Sequence, residues 1–217
     1  FIGITGTNGK TTISYLVNQF LKSYGVRTLL SGTIATEING RVVQSDLTTP
    51  GYIKMQELCS EAVKNKCETV VMEVSSHALD QGRVNGTCFD TVVITNLSQD
   101  HLDYHGDMKE YAAAKKRILD LPGVKHVVVN ADDSFGQECL QYLAKKMGDA
   151  DITVWAYANK SENLLSLPCF AKQSFRKLLA TDLQMSDQGM KFQLIVDGED
   201  AGLMQTRMVG AFNVSNA

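Results

Sequence analysis

Seven consecutive residues, Gly6-Thr7-Asn8-Gly9-Lys10-Thr11-Thr12, carry the clearest chemistry in the chain. Their glycines allow a turn tight enough to aim several backbone N–H groups at one anion. Lys10 offers a compact positive charge for β- and γ-phosphate oxygens, and the Thr11 hydroxyl is a hard oxygen that suits Mg²⁺. The strict phosphate-loop pattern places a glycine five residues before Gly9, where this chain has Ile4, so the loop is a shortened variant. A glycine-rich turn without a ligand is the plain alternative. The strand-like residues before the loop and the helix-like residues after it favour a nucleoside triphosphate, because a helix N-terminus adds its own positive partial charge. The loop does not say which reaction follows.

The elements that must hold this loop read as an α/β alternation. Phe1-Ile2-Gly3-Ile4-Thr5 predicts a strand. Ile13, Leu16, Val17, Phe20 and Leu21 then fall at the spacing of one buried helix face, with Gly25 as the stop. Val26–Leu30 predicts a strand, and Asn39-Gly40 between Ile38 and Val42-Val43 predicts a type I′ hairpin. Met55, Leu58 and Ala62 suggest a helix. Thr69–Val74 and Thr91–Thr95 are near-continuous apolar runs, which suits parallel strands buried on both faces. A helix from about Met108 to Leu119 and a strand at Val127–Val129 follow. Leu140, Leu143, Ala144 and Met147 predict another helix, and Ile152–Ala156 a strand that closes the sheet. Past about Phe170 the texture becomes short alternating segments around Asp187-Gln188-Gly189, expected as antiparallel strands appended to the main sheet. The fold class is therefore α/β: a mostly parallel central sheet flanked by helices, with a small antiparallel β subregion.

Composition narrows the function classes. The 217 residues are 44% hydrophobic and 21% charged, ordinary for a soluble globular chain. Twenty-one basic against 24 acidic residues give a net charge of -3, which offers no broad basic face to nucleic acid or membrane. Five scattered cysteines, Cys59, Cys67, Cys88, Cys139 and Cys169, form no C-x-x-C pair and read as reduced thiols of a cytoplasmic protein. The opening Phe1-Ile2-Gly3 lacks both Met and a charged leader and reads like the middle of a strand, so a segment of a longer polypeptide is expected.

Three further stretches select the reaction: Met72-Glu73-Val74-Ser75-Ser76-His77, Thr95–Gly106 with its Asp100-His101-Leu102-Asp103-Tyr104-His105-Gly106, and Tyr111-Ala112-Ala113-Ala114-Lys115. With the Gly-Thr-Asn-Gly-Lys-Thr-Thr loop they closely resemble the central ATPase domain of Mur ligases, in the MurE-type branch. The likeness runs from the first strand to Gly210–Asn216. It implies one central ATP-binding domain over residues 1–217, without the family's N-terminal UDP-binding and C-terminal amino-acid-binding domains. It further implies an ATP-dependent amide ligase of peptidoglycan and cell-wall synthesis. That enzyme adds the third amino acid, meso-diaminopimelate in preference to L-lysine, to UDP-MurNAc-L-Ala-D-Glu through an acyl phosphate. Small-molecule substrates, a cytoplasmic location and a monomer are expected, with neither nucleic acid nor membrane as partner. A folylpolyglutamate synthetase-like ligase and a non-catalytic nucleotide-binding scaffold are the rival readings.

The resemblance also assigns roles that the isolated residues leave open. Glu73, at the end of a central strand, is read as either structurally paired or cation-bound; the family makes it a Mg²⁺ ligand beside Thr11. His101, by itself an ordinary histidine, becomes a ligand of a second Mg²⁺, with Asn96 near the nucleotide. Lys115, otherwise a solvated helix charge, becomes a carbamate through CO₂, an oxygen ligand for Mg²⁺. Lys10, Glu73, His101 and Lys115 form the expected catalytic set, and Thr11, Glu73, His101 and Lys115 the metal set. Thr48, Thr49, Ser75, Gln81 and Arg83 match positions that contact the UDP substrate, though each is also an ordinary loop or strand-end choice. Asn213 and Asn216 are expected near adenine or as local caps. Asp103 and His105 receive no role, Asn130-Ala131-Asp132-Asp133 is either a nucleotide contact or an N-cap, and Lys116 and Arg117 are read as surface charges.

Overall fold

The computed structural model describes residues 1–43, 47–146, 152–165 and 175–208, together with Asn213, Ser215 and Asn216. Met147, Cys169, Phe170 and Gly210–Phe212, named above, lie outside the described residues. The chain divides into two compact units, Phe1–Val93 with Ser98–Val124, and Ile94–Leu97 with Lys125–Ala217.

In the first unit the strands are β1 (Ile2–Thr5), β2 (Thr28–Ser31), β3 (Thr36–Ile38), β4 (Arg41–Val43), β5 (Thr69–Glu73) and β6 (Thr91–Ile94). They lie in the order β6-β1-β5-β2-β3-β4. Apolar runs decide the centre: β1 and β2 both pair with β5 in parallel, Ile4 opposite Glu73 and Ser31 opposite Met72. Ile4, Leu29, Val71 and Met72 are wholly or almost wholly buried, as expected of strands covered on both faces. The hairpin from β3 to β4 turns on Asn39 and Gly40, both at positive φ as a type I′ turn requires.

Helices α1 (Lys10–Ser23) and α2 (Tyr52–Lys64) follow the predicted spans. Met55, Leu58 and Ala62 of α2 are buried as expected, and Leu58 and Ala62 pack with Leu29 and Ile38. The buried face of α1 differs from the expectation. Ile13 is buried with Ser14 and Asn18, whereas Phe20 is 62% exposed. The reason is polar pairing: the Thr28 hydroxyl donates to the Asn18 side-chain carbonyl at 2.5 Å, and Ser14 donates to the Thr11 carbonyl at 3.0 Å. Short helices α3 (Ser76–Asp80) and α4 (Leu102–His105), too brief to show a period, precede α5 (Met108–Lys116), which ends in a 3₁₀ turn at Arg117–Asp120.

The second unit holds β7 (His126–Asn130), α6 (Ser134–Lys146), β8 (Thr153–Ala158), α7 (Ser161–Leu165), β9 (Phe175–Ser186), β10 (Gly189–Val196) and β11 (Glu199–Thr206). β8 does not close the sheet. It pairs in parallel with β7 on one side and β9 on the other, and only β9-β10-β11 run antiparallel to one another. The appended strands thus join through a parallel register. Asp133 caps α6: its Oδ1 accepts the N–H groups of Phe135 and Gly136 at the start of the helix, and that of Leu97. Asp132 ties the end of β8 to α7 by accepting from Asn159 N at 2.6 Å and Asn163 Nδ2 at 2.8 Å. No helix among the described residues is long and apolar enough to cross a membrane.

Candidate active site

The glycine loop joins β1 to α1, as the strand–turn–helix reading required. Gly9 precedes the helix at φ 86°, a left-handed conformation that a side chain would strain, and so turns the first N–H groups of α1 toward the loop. Two ammonium groups converge here on one carbonyl oxygen. Lys10 Nζ donates to Gly6 O at 3.0 Å and Thr7 O at 2.9 Å, and Lys115 Nζ reaches the same Gly6 O at 2.9 Å from α5. Lys115 is 1% exposed, and its ammonium lies 4.6 Å from the centre of the Tyr111 ring. Burial, and then repulsion from Lys10, pull its pKa down to about 7. Burial also lowers the Lys10 pKa, against the attraction of Glu73 and Asp100. A pair of cations crowded onto a neutral acceptor favours a polyanion.

Glu73 ends β5 fully buried, and its bonds explain how it can stay there. Oε2 accepts from the Thr11 and Thr33 hydroxyls, each at 3.0 Å, while Oε1 accepts from Thr33 N at 2.9 Å. Gly32 admits this approach, because a Cβ there would lie 2.4 Å from Oε1. Gly32 and Thr33 are site residues that sequence reasoning missed.

Thr7 fixes the loop from the other side. Its hydroxyl bonds to Ser98 O and N at 3.2 and 3.0 Å and meets the buried Tyr111 hydroxyl at 3.1 Å. Asn8 Nδ2 donates to Ser98 Oγ at 3.3 Å. Tyr111 also packs against the imidazoles of His101 and His105, at centroid distances of 6.1 and 5.1 Å. His101 stands at φ 52° just before α4, about half exposed, with Asp100 Oδ2 3.4 Å from Nε2. His77 lies 4.9 Å from the His101 ring and 5.4 Å from that of His105, and burial, followed by the neighbouring histidines, lowers its pKa.

The expected substrate residues fall into one hydrogen-bonded group. Thr49 Oγ1 donates to the Glu73 carbonyl at 2.9 Å and accepts from Ser75 N at 3.0 Å. Arg83 Nη1 donates to Thr49 O at 3.2 Å and its Nε to Gln81 Oε1 at 2.8 Å. Gln81 donates to the Tyr104 hydroxyl, which donates to Asp80, and Asp80 pairs with Arg117 at 2.9 Å. Arg117 is an exposed surface charge, as read from sequence, and it braces this group through its pairing with Asp80. Thr48 Oγ1 lies 3.0 Å from Thr33 Oγ1. Ser75 also caps α3 by accepting from Ala78 N. Thr12 is the third residue of α1. Asn96, Asn213 and Asn216 belong to the second unit, where Asn216 donates through Nδ2 to Asn213 Oδ1 at 3.0 Å.

Fit to the expected ions follows from donor chemistry. Thr11 and Glu73 offer adjacent hard oxygens suited to Mg²⁺. Among the described residues no three His, Cys, Asp or Glu side chains form a metal cluster. The second set, His101 with Lys115, gains an oxygen donor only if the amine becomes a carbamate.

The family model described as the Mur ligase middle domain matches residues 4–217. A UDP-N-acetylmuramoyl-L-alanyl-D-glutamate–2,6-diaminopimelate ligase of Xylella fastidiosa is 38% identical over 215 residues, covering 99% of this chain and 40% of its own length. The enzyme of that name from Synechococcus elongatus is 39% identical over 225 residues, covering 99% and 39%. A solved structure of such a ligase superposes with a TM-score of 0.83 at 30% identity, covering 99% of this chain and 40% of that one. MurF from Acinetobacter baumannii, at 18% identity and a TM-score of 0.65 over 99% of this chain and 40% of its own, shares the fold. The chain spans about 40% of the length of the curated relatives it matches.

Proposed function

The chain belongs to the Mur ligase family, and on that premise we propose that it is the ATP-binding part of a ligase that adds meso-diaminopimelate to UDP-MurNAc-L-Ala-D-Glu. One observation carries the reading. Lys10 and Lys115 meet on Gly6 O, beside a buried Glu73 that is bonded to the loop's own Thr11. A cation for phosphate, a buried amine open to carbamylation and a carboxylate for a divalent ion are thus built around one turn.

In the proposed reaction a carboxylate oxygen of the UDP substrate attacks the terminal phosphorus of ATP, and the bond to ADP breaks. The amine nitrogen then attacks the acyl carbon of the resulting acyl phosphate, phosphate leaves, and the amine's surplus proton passes to solvent. When bound, Mg²⁺ at Thr11 and Glu73, and a second ion at His101 and carbamylated Lys115, would neutralise phosphate charge. The chain's own work is positional. Lys10 and the loop N–H groups hold phosphate oxygens, Thr48, Thr49, Ser75, Gln81 and Arg83 hold the acceptor, and Arg83 supplies planar donors for an acidic group. Lys115 is suited to carbamylation because a pKa of about 7 leaves much of its amine neutral and nucleophilic at physiological pH. Small-molecule substrates, a monomeric state and a cytoplasmic setting belong to the same reading, and the four described cysteines, all free thiols, suit the last of these.

Phosphate release by the full-length protein tests it. Release should require ATP, UDP-MurNAc-L-Ala-D-Glu and an amine together, and meso-diaminopimelate should outcompete L-lysine. Release indifferent to the UDP substrate would end the ligase reading.

A further inference from the structure

Thr33 touches two groups that have separate jobs in the proposed reaction. Its hydroxyl and its N–H both bond the Glu73 carboxylate, and the same hydroxyl lies 3.0 Å from the hydroxyl of Thr48. A hydroxyl has one proton. Because Thr33 gives its proton to Glu73 Oε2, its lone pair must accept the proton of Thr48. The direction of the chain is therefore set: Thr48 to Thr33 to Glu73, and on the far side of the same oxygen, Thr11 of the phosphate loop. The geometry is held at both ends. Thr49 anchors the Thr48 loop to the last carbonyl of β5, and Gly32 leaves no side chain between its backbone and Oε1.

We propose that Thr33 is a positioning residue that couples the acceptor-substrate loop to the nucleotide end of the site. With Thr48 donating to it, Thr33 is polarised toward Glu73 and holds the carboxylate on Thr11. An anionic group of the UDP substrate that takes the Thr48 proton removes that donation. Glu73 then has less of its charge engaged by Thr33 and more available to a divalent ion beside Thr11. Substrate occupancy and affinity for magnesium ATP are thereby linked, and linkage between two binding sites is reciprocal. The inference rests on the roles proposed above for Glu73 and Thr48.

Calorimetric affinity for magnesium ATP, with and without saturating UDP-MurNAc-L-Ala-D-Glu, tests it in the full-length protein. Wild type should bind magnesium ATP more tightly when the UDP substrate is present. Thr33→Val should bring that ratio to one and tighten binding of magnesium ATP alone by about 10-fold, the size expected for a hydrogen bond to a charged group. Thr33→Ser, which keeps the hydroxyl, should restore both. Thr48→Val should bring the ratio to one while leaving the bonds from Thr33 to Glu73 in place. Equal ratios in wild type, Thr33→Val and Thr48→Val overturn the coupling, as does a wild-type ratio of one. Glu73→Gln and Thr11→Ala separate the two levels. If they abolish magnesium ATP binding while Thr33→Val changes nothing, the relay is wrong and the ligase reading stands; if they too bind normally, the ligase reading falls first.

Discussion

Lys115 brings an amine into a place that gives it almost no water, one carbonyl, one aromatic face and a second ammonium for company. The ring face favours the charged form, and burial and Lys10 oppose it; a pKa near 7 says that the opposition wins. A neutral Nζ can attack CO₂: the N–C bond forms, a C=O electron pair moves to oxygen, and the nitrogen releases a proton. The product is an anion beside Lys10, where the chain previously held a second ammonium. Protein equilibrated with ¹³C-bicarbonate should therefore show a carbamate carbon resonance near neutral pH that is absent in Lys115→Ala. The same variant should lose turnover on the order of 10²-fold, the scale for removing one positioned electrostatic group. An unchanged spectrum in the variant would move the modification to another lysine.

At the scale of elements, the site depends on which strand ends come together. Parallel pairing of β2 with β5 sets Ser31 against Met72, which delivers the next residues, Gly32 and Thr33, onto Glu73. Gly32→Ala places a methyl group against Oε1, and Glu73 must swing or β2 must shift. Stability should fall by about 1–3 kcal/mol, as for other overpacked buried positions. Turnover should fall further than that loss explains, because Glu73 leaves its bond with Thr11. Urea unfolding beside steady-state kinetics checks both, and normal kinetics in a destabilised Gly32→Ala would show that Glu73 tolerates displacement. This contact also shows what the chain makes legible. The glycine loop, the strand ending in Glu73 and the helix ending near Lys115 have local signatures in turn chemistry and hydrophobic period. Thr33 has none, for its partner is 40 residues away and the pairing exists only in the register of two strands. A Gly-Thr step immediately after an apolar strand beside a strand ending in Glu was the available hint. Asn18 and Ser14 hid for another reason: their burial depends on hydrogen bonds with Thr28 and the Thr11 carbonyl, which a hydrophobic count does not register. The internal place of β8 was equally hidden, since strand order is not written in any one segment.

For the whole molecule, the Lys115 amine makes folding depend on pH in a direction that can be worked out. Its pKa is about 7 in the folded chain against an ordinary value of 10.5. Below about pH 7 the folded and unfolded chains both hold the proton, and the full penalty of burying a cation is present. Between about pH 7 and 10.5 the unfolded chain holds more protons than the folded one, so stability rises with pH across that window. Above it both forms are neutral and the rise stops. Lys115→Met keeps an unbranched apolar stem at the site and removes the proton from the balance. The stability of wild type relative to this variant should therefore be flat below about pH 6 and climb from about pH 7 to 9. Denaturation in CO₂-free buffer is needed, because carbamate formation would add a second proton-linked reaction to the same nitrogen. Hydrogen exchange of the β1 and β5 amides reads the effect in the unit that contains Lys115, independently of any optical probe. A difference that stays level from about pH 6 to 9 would mean that the buried amine keeps its proton, and that the nucleophile needed for carbamate formation is not supplied by burial.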